Sequence, residues 1–262
     1  MAEGIQLTKS LGQNFLHDAN QLHRIIAAAQ LTPEDKVLEI GPGLGPLTEL
    51  LLRDAGHVLA IEKDRRLVES LRRRLGQSSK VELQHGDALE FVRKHPDLGD
   101  WKVVSNLPYS VASPIMVELA RSPTSPSMIV ATLQIEVAQR IGAEHGSRDF
   151  GLLSLLMQLR CEVRGQFKIP ASCFFPEPDV DSACITLVRR VRPLLDHKTE
   201  LLFERIVKRA FSQRRKMMLK LLKEDWSEDQ LDRIFQEIGI DRQARAETVS
   251  LNQFAELSLR LS

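Results

Sequence analysis

Val37-Leu-Glu-Ile-Gly-Pro-Gly-Leu-Gly-Pro-Leu-Thr48 carries an apolar strand into three closely spaced glycines and then into a helix start. Glycines in that position let the backbone turn tightly and pass close to a ligand. The spacing is Gly41-x-Gly43-x-Gly45, whereas the dinucleotide fingerprint G-x-G-x-x-G sets its last glycine one place later, where this chain has Pro46. Proline suits the first turn of a helix. On its own the triplet could also be a plain strand-to-helix turn, and what stands at the neighbouring strand ends gives it its meaning.

Working outward, short β-rich runs alternate with helical patterns, the signature of βαβ units building a parallel sheet. Strands are expected at Val37–Ile40, His57–Glu62, Val81–Gln84, Lys102–Val104, Met128–Leu133, Cys161–Ile169 and Ala183–Arg189. Only a proline-rich loop, residues 170–182, separates the last two, which predicts an antiparallel pair at the sheet edge. The second strand ends in Glu62, whose carboxylate can accept hydrogen bonds from both ribose hydroxyls. The third leads to Asp87 and Ala88, an acceptor for an adenine amino group beside apolar neighbours. With Gly41 and Gly43, three strand ends point at one adenosine. No basic group or longer glycine loop is present to clamp a pyrophosphate.

The fourth strand runs into Ser105-Asn-Leu-Pro-Tyr-Ser110, at the carboxyl edge where open α/β sheets bind ligands. An exocyclic amine needs acceptors for its two hydrogens before its lone pair can leave conjugation and face an electrophile. The Asn106 side-chain oxygen and the Leu107 carbonyl can supply them, Pro108 can fix the turn, and Tyr109 can stack on the base. The ordinary alternative is a turn with Tyr109 as packing. Combined with an adenosine pocket, the motif points to in-line methyl transfer from S-adenosylmethionine to an amino nitrogen, driven by alignment and electrostatics without a strong base.

Composition bounds the rest. The chain has 262 residues, enough for a full core. Its three cysteines, Cys161, Cys173 and Cys184, lack the paired spacing of zinc sites and read as reduced cytoplasmic thiols. The scattered histidines suggest no metal, no serine has a nucleophile-elbow context, and nothing resembles an export signal or membrane span. Lys and Arg number 36 against 35 Asp and Glu, a net charge of +1 that at face value argues against a polyanionic partner. The charge is segregated, however. Residues 189–223 hold twelve basic and three acidic side chains, +9 in 35 residues, which leaves −8 for the remainder.

After Pro193 only helical patterns remain, at Thr199–Ser212, Arg215–Leu222, Ser227–Ile238 and Leu251–Leu261, with Ser227 placed to cap and Gly239 to terminate the third. The division expected is a sheet domain over 1–192 and a small all-helical domain over 193–262.

These motifs resemble one family, the ribosomal RNA adenine N6,N6-dimethyltransferases of the small-subunit type. The resemblance rests on Gln13-Asn-Phe-Leu16, Glu39–Thr48, Asn106–Tyr109, Leu133–Arg140, Phe150–Ser154, Phe175–Ser182 and Phe211–Lys216, and spans residues 13 to about 254. It implies a Rossmann-like, mostly parallel S-adenosylmethionine-dependent methyltransferase sheet with an antiparallel edge strand. It also implies that Asn14, Leu16, Gly41, Glu62, Asp87 and Asn106 contact the cofactor, with Asn106 holding the target amine. Phe174 or Phe175 would face Tyr109 across a flipped adenine, since a base must leave its stack to be methylated. Arg214, Arg215, Lys216 and Lys220 would bind RNA phosphates.

The substrate implied is two adjacent adenosines near the 3′ end of small-subunit rRNA, within a pre-assembled 30S particle, the enzyme acting as a cytoplasmic monomer. Two residues depart from the family pattern: Ile135 stands where Lys is usual, and Lys220 where Asn is usual. The competing readings are an erythromycin-resistance-type methylase of large-subunit rRNA, an assembly or transcription factor with dispensable methylation, and a nicotinamide oxidoreductase, which Pro46 disfavours.

Overall fold

The structure, a computed structural model, describes residues 13–122 and 124–262. In chain order the elements are β1 (Phe15–Leu16), α1 (Ala19–Ala29), β2 (Lys36–Ile40), α2 (Pro46–Asp54), β3 (His57–Glu62), α3 (Arg65–Leu75), β4 (Val81–His85), α4 (Ala88–Lys94), β5 (Trp101–Asn106), α5 (Ala112–Arg121), β6 (Met128–Gln134), α6 (Ile135–Gly142), α7 (Leu152–Arg160), β7 (Cys161–Ile169), β8 (Phe174–Phe175), β9 (Ser182–Arg189), α8 (His197–Ala210), α9 (Met218–Leu222), α10 (Glu228–Glu237) and α11 (Leu251–Leu261).

Seven strands form one sheet in the order β4-β3-β2-β5-β6-β9-β7. β2 pairs in parallel with β3 and β5, β3 with β4, and β5 with β6, while β9 runs antiparallel to β6. The sheet is mostly parallel with an antiparallel strand, as the sequence indicates. The two strands expected together at the sheet edge stand there, β9 beside β6 and β7 outermost. The antiparallel strand that the pairing shows is β9, one place in from the edge.

Val37, Leu38, Glu39 and Ile40 of β2 are all buried, because a central parallel strand is covered on both faces. α1 turns Leu22, Ile25, Ile26 and Ala29 inward to join Val37, Val58, Val104 and Val130 in one core cluster. Asp18 caps that helix by accepting from the Gln21 N–H at 2.9 Å. The strand order reverses between β2 and β5, so the loops after those strands open a crevice at the carboxyl edge.

β1 and β8 form a separate two-stranded ladder, Phe15 opposite Phe175 and Leu16 opposite Phe174. The proline-rich stretch before β9 therefore holds a strand where the sequence suggests only a loop.

The chain divides into two compact units, the described residues up to Ala138 with Glu162–Arg189, and Gln139–Cys161 with Arg190–Ser262. The stretch Gln139–Cys161, read from sequence as part of the sheet domain, packs with the helices. The reason is its apolar face: Phe150, Leu155 and Leu159 are buried in one cluster with Phe203, Val207, Leu231 and Phe254. Ser227 caps α10 by accepting from the Gln230 N–H, and Gly239 follows it at φ +69°. Among the described residues no helix is long and apolar enough to cross a membrane.

Candidate active site

The glycine loop leaves β2 with all three glycines at positive φ, +68° at Gly41, +61° at Gly43 and +86° at Gly45. A β-carbon at Gly43 would stand 2.7 Å from the Phe15 ring, and one at Gly45 would stand 2.5 Å from Leu71. The loop is thus closed against β1 on one side and α3 on the other. Gly45 ends it as the left-handed cap of α2, with Pro46 in the first helical turn.

Glu62 ends β3 and is buried beneath this loop. Its Oε2 accepts from the Gly43 N–H at 3.1 Å and its Oε1 from the Asp64 N–H at 2.8 Å. Burial raises its pKa against the pull of those N–H groups. A second carboxyl lies beside it. Glu39 is 1% exposed, and among the described residues its Oε2 has no hydrogen-bond partner. Burial pushes the Glu39 carboxyl up to about 8, the Thr48 hydroxyl of α2 offsets part of that rise, and the charge of Glu62 adds to it. Sequence reading quotes Glu39 within the motif but assigns it no role. The signal was there: an acid inside an otherwise apolar central strand costs too much to be packing.

Asp87 caps α4, accepting at Oδ1 from the Leu89 and Glu90 N–H groups at 2.9 and 3.3 Å. Its Oδ2 pairs with Lys63 Nζ at 2.9 Å, and that hydrogen bond lowers its pKa. Ala88 begins the helix. An adenine amino group approaching Asp87 therefore meets a carboxylate already held by Lys63.

Asn106 is the last residue of β5. Its Nδ2 donates to the Asn14 backbone carbonyl at 3.0 Å, which leaves Oδ1 buried and, among the described residues, without a partner. Asn14 in turn donates from Nδ2 to the Pro176 carbonyl at 2.7 Å. Leu107 is buried with its N–H on the Thr132 carbonyl, and the Pro108 carbonyl accepts from the Val111 N–H to close the turn. The Tyr109 hydroxyl is hydrogen-bonded to the Ser182 hydroxyl at the start of β9, and burial raises the phenol pKa. Phe174 meets Tyr109 edge to face, ring centroids 6.5 Å apart at 64°.

One cavity unites most of these groups. Its wall includes Asn14, Leu16, Gly41, Gly43, Glu62, Asn106, Leu107, Pro108 and Tyr109, together with Phe15, Glu39 and Lys63, which sequence reading did not single out. Asp87, Ala88, Phe174 and Phe175 stand outside that wall. The two phenylalanines separate sharply. Phe174 is 2% exposed and faces Tyr109, whereas Phe175 is 64% exposed, because neighbours in the short β8 point to opposite sides. Ser182, the partner of Tyr109, carries no sequence signal beyond its place at the end of the Phe175–Ser182 motif.

Arg214, Arg215 and Lys216 are exposed in the turn after α8, and Lys220 is exposed on α9. The helix expected from Arg215 begins only at Met218, where the buried apolar face starts. Arg214 donates to the Arg148 carbonyl at 2.7 Å. Cys161, Cys173 and Cys184 are buried and not disulfide-bonded.

The donor set suits a cationic nucleoside. Two wall residues hold buried acceptors that lack partners among the described residues, two interacting carboxyls share the wall, and the glycine loop admits a ligand against the backbone. Such a site can orient an amine and neutralise a positive charge.

A family model described as ribosomal RNA adenine dimethylase matches residues 4–262. A ribosomal RNA small subunit methyltransferase A from Geobacter metallireducens is 39% identical, covering 98% of this chain and 96% of its own length. Two solved structures share the architecture. A dimethyladenosine transferase from Plasmodium falciparum matches with TM-score 0.81 at 25% identity, over 93% of this chain and 95% of that one. The 23S rRNA methyltransferase ErmE matches with TM-score 0.75 at 28% identity, over 95% and 99% respectively. The sheet, its helical unit and its motifs are those of S-adenosylmethionine-dependent rRNA methyltransferases, and the chain belongs to the ribosomal RNA adenine dimethylase family.

Proposed function

We propose that this protein transfers methyl groups from S-adenosylmethionine to the N6 amines of two adjacent adenosines near the 3′ end of small-subunit rRNA. It does so as a monomer, on a pre-assembled 30S particle. The observation that carries the reading is the Oδ1 of Asn106, buried in the wall of the cavity and without a partner among the described residues.

S-adenosylmethionine, when bound, supplies a methyl group already activated on a sulfonium. The protein holds that cofactor and the target base. Gly41 and Gly43 let the backbone approach it, Glu62 accepts from ribose hydroxyls, and Asn14 and Leu16 close the wall. Asp87, beside Ala88, accepts the adenine amino group once Lys63 yields. Asn106 Oδ1 and the Leu107 carbonyl accept the two hydrogens of the target amine, which frees the nitrogen lone pair to attack. The proton then leaves a cationic nitrogen for water, so a strong base is unnecessary. Tyr109 and Phe174 stack on the flipped base, with Tyr109 turning from its edge-to-face contact. Phe175, outward and exposed, meets the strand outside the pocket. Arg214, Arg215, Lys216 and Lys220 hold phosphates.

The small-subunit substrate is favoured over the large-subunit one by the relatives. The 39% identical protein is named for the small subunit, whereas ErmE is 28% identical. The deciding experiment incubates labelled S-adenosylmethionine with undermethylated 30S particles, naked small-subunit rRNA and large-subunit rRNA, then maps the modified bases. Dimethylated adjacent adenosines in the 30S arm are expected. Label confined to large-subunit rRNA would overturn the reading.

A further inference from the structure

Glu39 is a carboxyl that the proposed chemistry leaves without a task. It belongs to the wall of the cavity, is buried in the central strand, and among the described residues its Oε2 has no hydrogen-bond partner. Orphaned buried acceptors are costly unless a ligand completes them. The Thr48 hydroxyl of α2 offsets part of the effect of burial on this carboxyl but brings no charge, and the charged group that acts on it is Glu62, of the same sign. The other charges around the site are already matched. Lys63 pairs with Asp87 at 2.9 Å, Asp64 with Arg66 at 2.6 Å, and Glu49 of α2 with Arg74. β5 contributes only the uncharged Ser105 and Asn106 at this level, the Ser105 hydroxyl accepting from the Ile40 N–H at 2.8 Å. No resident cation among these groups balances two adjacent carboxylates.

We infer that Glu39 is the charge-selecting residue of the cofactor site: it stays protonated while the site holds no cation, and releases its proton when a sulfonium ligand supplies the missing positive charge. The inference rests on the S-adenosylmethionine reading above and deepens it. Cofactor and product differ by one charge, because the sulfonium becomes a neutral thioether when its methyl group leaves. The cofactor therefore stabilises two ionised carboxylates, whereas the product leaves one of them to take its proton back. Selection for cofactor over product follows from the same pair. The raised position of Glu39, at about 8, places the exchange within the working range of the protein.

Linkage fixes the sign. If binding requires ionised Glu39, cofactor affinity rises about tenfold per pH unit below about 8 and levels off above it, while product affinity changes less. Isothermal titration of the whole chain, repeated in buffers of different ionisation enthalpy, counts the protons released on binding S-adenosylmethionine and S-adenosylhomocysteine. At about pH 7 the expected result is close to one proton more for the cofactor than for the product. In Glu39→Gln that excess vanishes and the cofactor profile flattens with pH. Titration of the ligands' own amino groups is common to both proteins and cancels in the difference. Wild-type difference infrared spectra supply a readout that needs no variant: a protonated-carboxyl band should disappear on adding cofactor and persist with product.

Equal proton release for the two ligands, or an excess retained in a folded Glu39→Gln, would overturn the inference and leave the cofactor assignment standing. Absence of S-adenosylmethionine binding at every pH would instead overturn the cofactor assignment itself, and this inference with it.

Discussion

Asn106 donates its side-chain N–H to the Asn14 backbone carbonyl across 3.0 Å, joining segments 92 residues apart. That bond decides which end of the amide faces the cavity. The nitrogen is committed to β1's approach, so the oxygen is the atom left for an amine. Asn106→Ala is expected to lower the rate of methyl transfer by about 10²–10³, the cost of losing one aligned polar group at a reacting centre. Cofactor affinity should fall far less, since Glu62 and the glycine loop remain. Single-turnover rates and equilibrium cofactor binding measured on the same variant separate the two effects. An unchanged rate would remove Asn106 from the chemistry.

Tyr109 is held by Ser182, a residue 73 positions further along the chain. Ser182→Ala leaves the ring in place but frees its rotation. The expected outcome is a few-fold higher KM for RNA with kcat nearly unchanged, whereas Tyr109→Ala loses a stacking face worth about 1–3 kcal/mol per base. Tyr109→Phe should resemble Ser182→Ala, because both remove the same hydrogen bond and keep the ring. Steady-state kinetics on the three variants tests this, and a Tyr109→Phe as damaged as Tyr109→Ala would show that the hydroxyl itself takes part.

What was legible in the sequence follows from the range of the forces involved. β3, β7 and α11 match their expected limits residue for residue, because alternation, glycine and capping are local signals. The Gly41–Gly45 loop was legible for the same reason. The β1–β8 ladder was not: Phe15 and Phe175 are 160 positions apart, and two-residue strands carry no periodicity. Assignment of Gln139–Cys161 to the helical unit was hidden too, since an apolar helix such as α7 reads alike whichever core it joins. Within the site, Glu62 and Asn106 announced themselves as polar residues at strand ends. Asp87's engagement with Lys63 and the outward turn of Phe175 are tertiary facts with no local trace.

The near-neutral net charge conceals a basic segment, and its exposed members Arg214, Arg215, Lys216 and Lys220 lead to a prediction about salt. Each phosphate neutralised releases counterions, so the slope of log K against log salt reports the number of contacts. Arg215→Ala with Lys216→Ala is expected to reduce that slope by about 1.4–1.8 while leaving cofactor affinity unchanged, taking about 0.7–0.9 per contact. Filter binding of small-subunit rRNA across a salt series measures it. A slope identical to wild type would place the RNA elsewhere.

The buried Glu39–Glu62 pair also sets how stability varies with pH. Both carboxyls are raised by burial, Glu39 from 4.5 to about 8, so the folded chain binds more protons than the unfolded one in that window. Stability contributed by the protonated form is complete below about pH 4.5 and is lost as pH rises through about 8. Asp35, Asp64, Asp87 and Asp225 act in the opposite sense. Their partners Lys102, Arg66, Lys63, Arg205 and Arg209 lower them from 3.8, so the stability they confer is present above that value and fades as pH falls below it. The two windows do not overlap, and the ligand-free protein should be most stable in mildly acidic buffer. Thermal unfolding from about pH 4 to about pH 9 is expected to show a decline on the alkaline side that Glu39→Gln largely abolishes, because the amide carries no proton to lose. Saturating S-adenosylmethionine should flatten the same decline in the wild type by supplying positive charge to the ionised pair. A wild-type profile that is flat above pH 5 without ligand would mean that the pair is already ionised in the free protein.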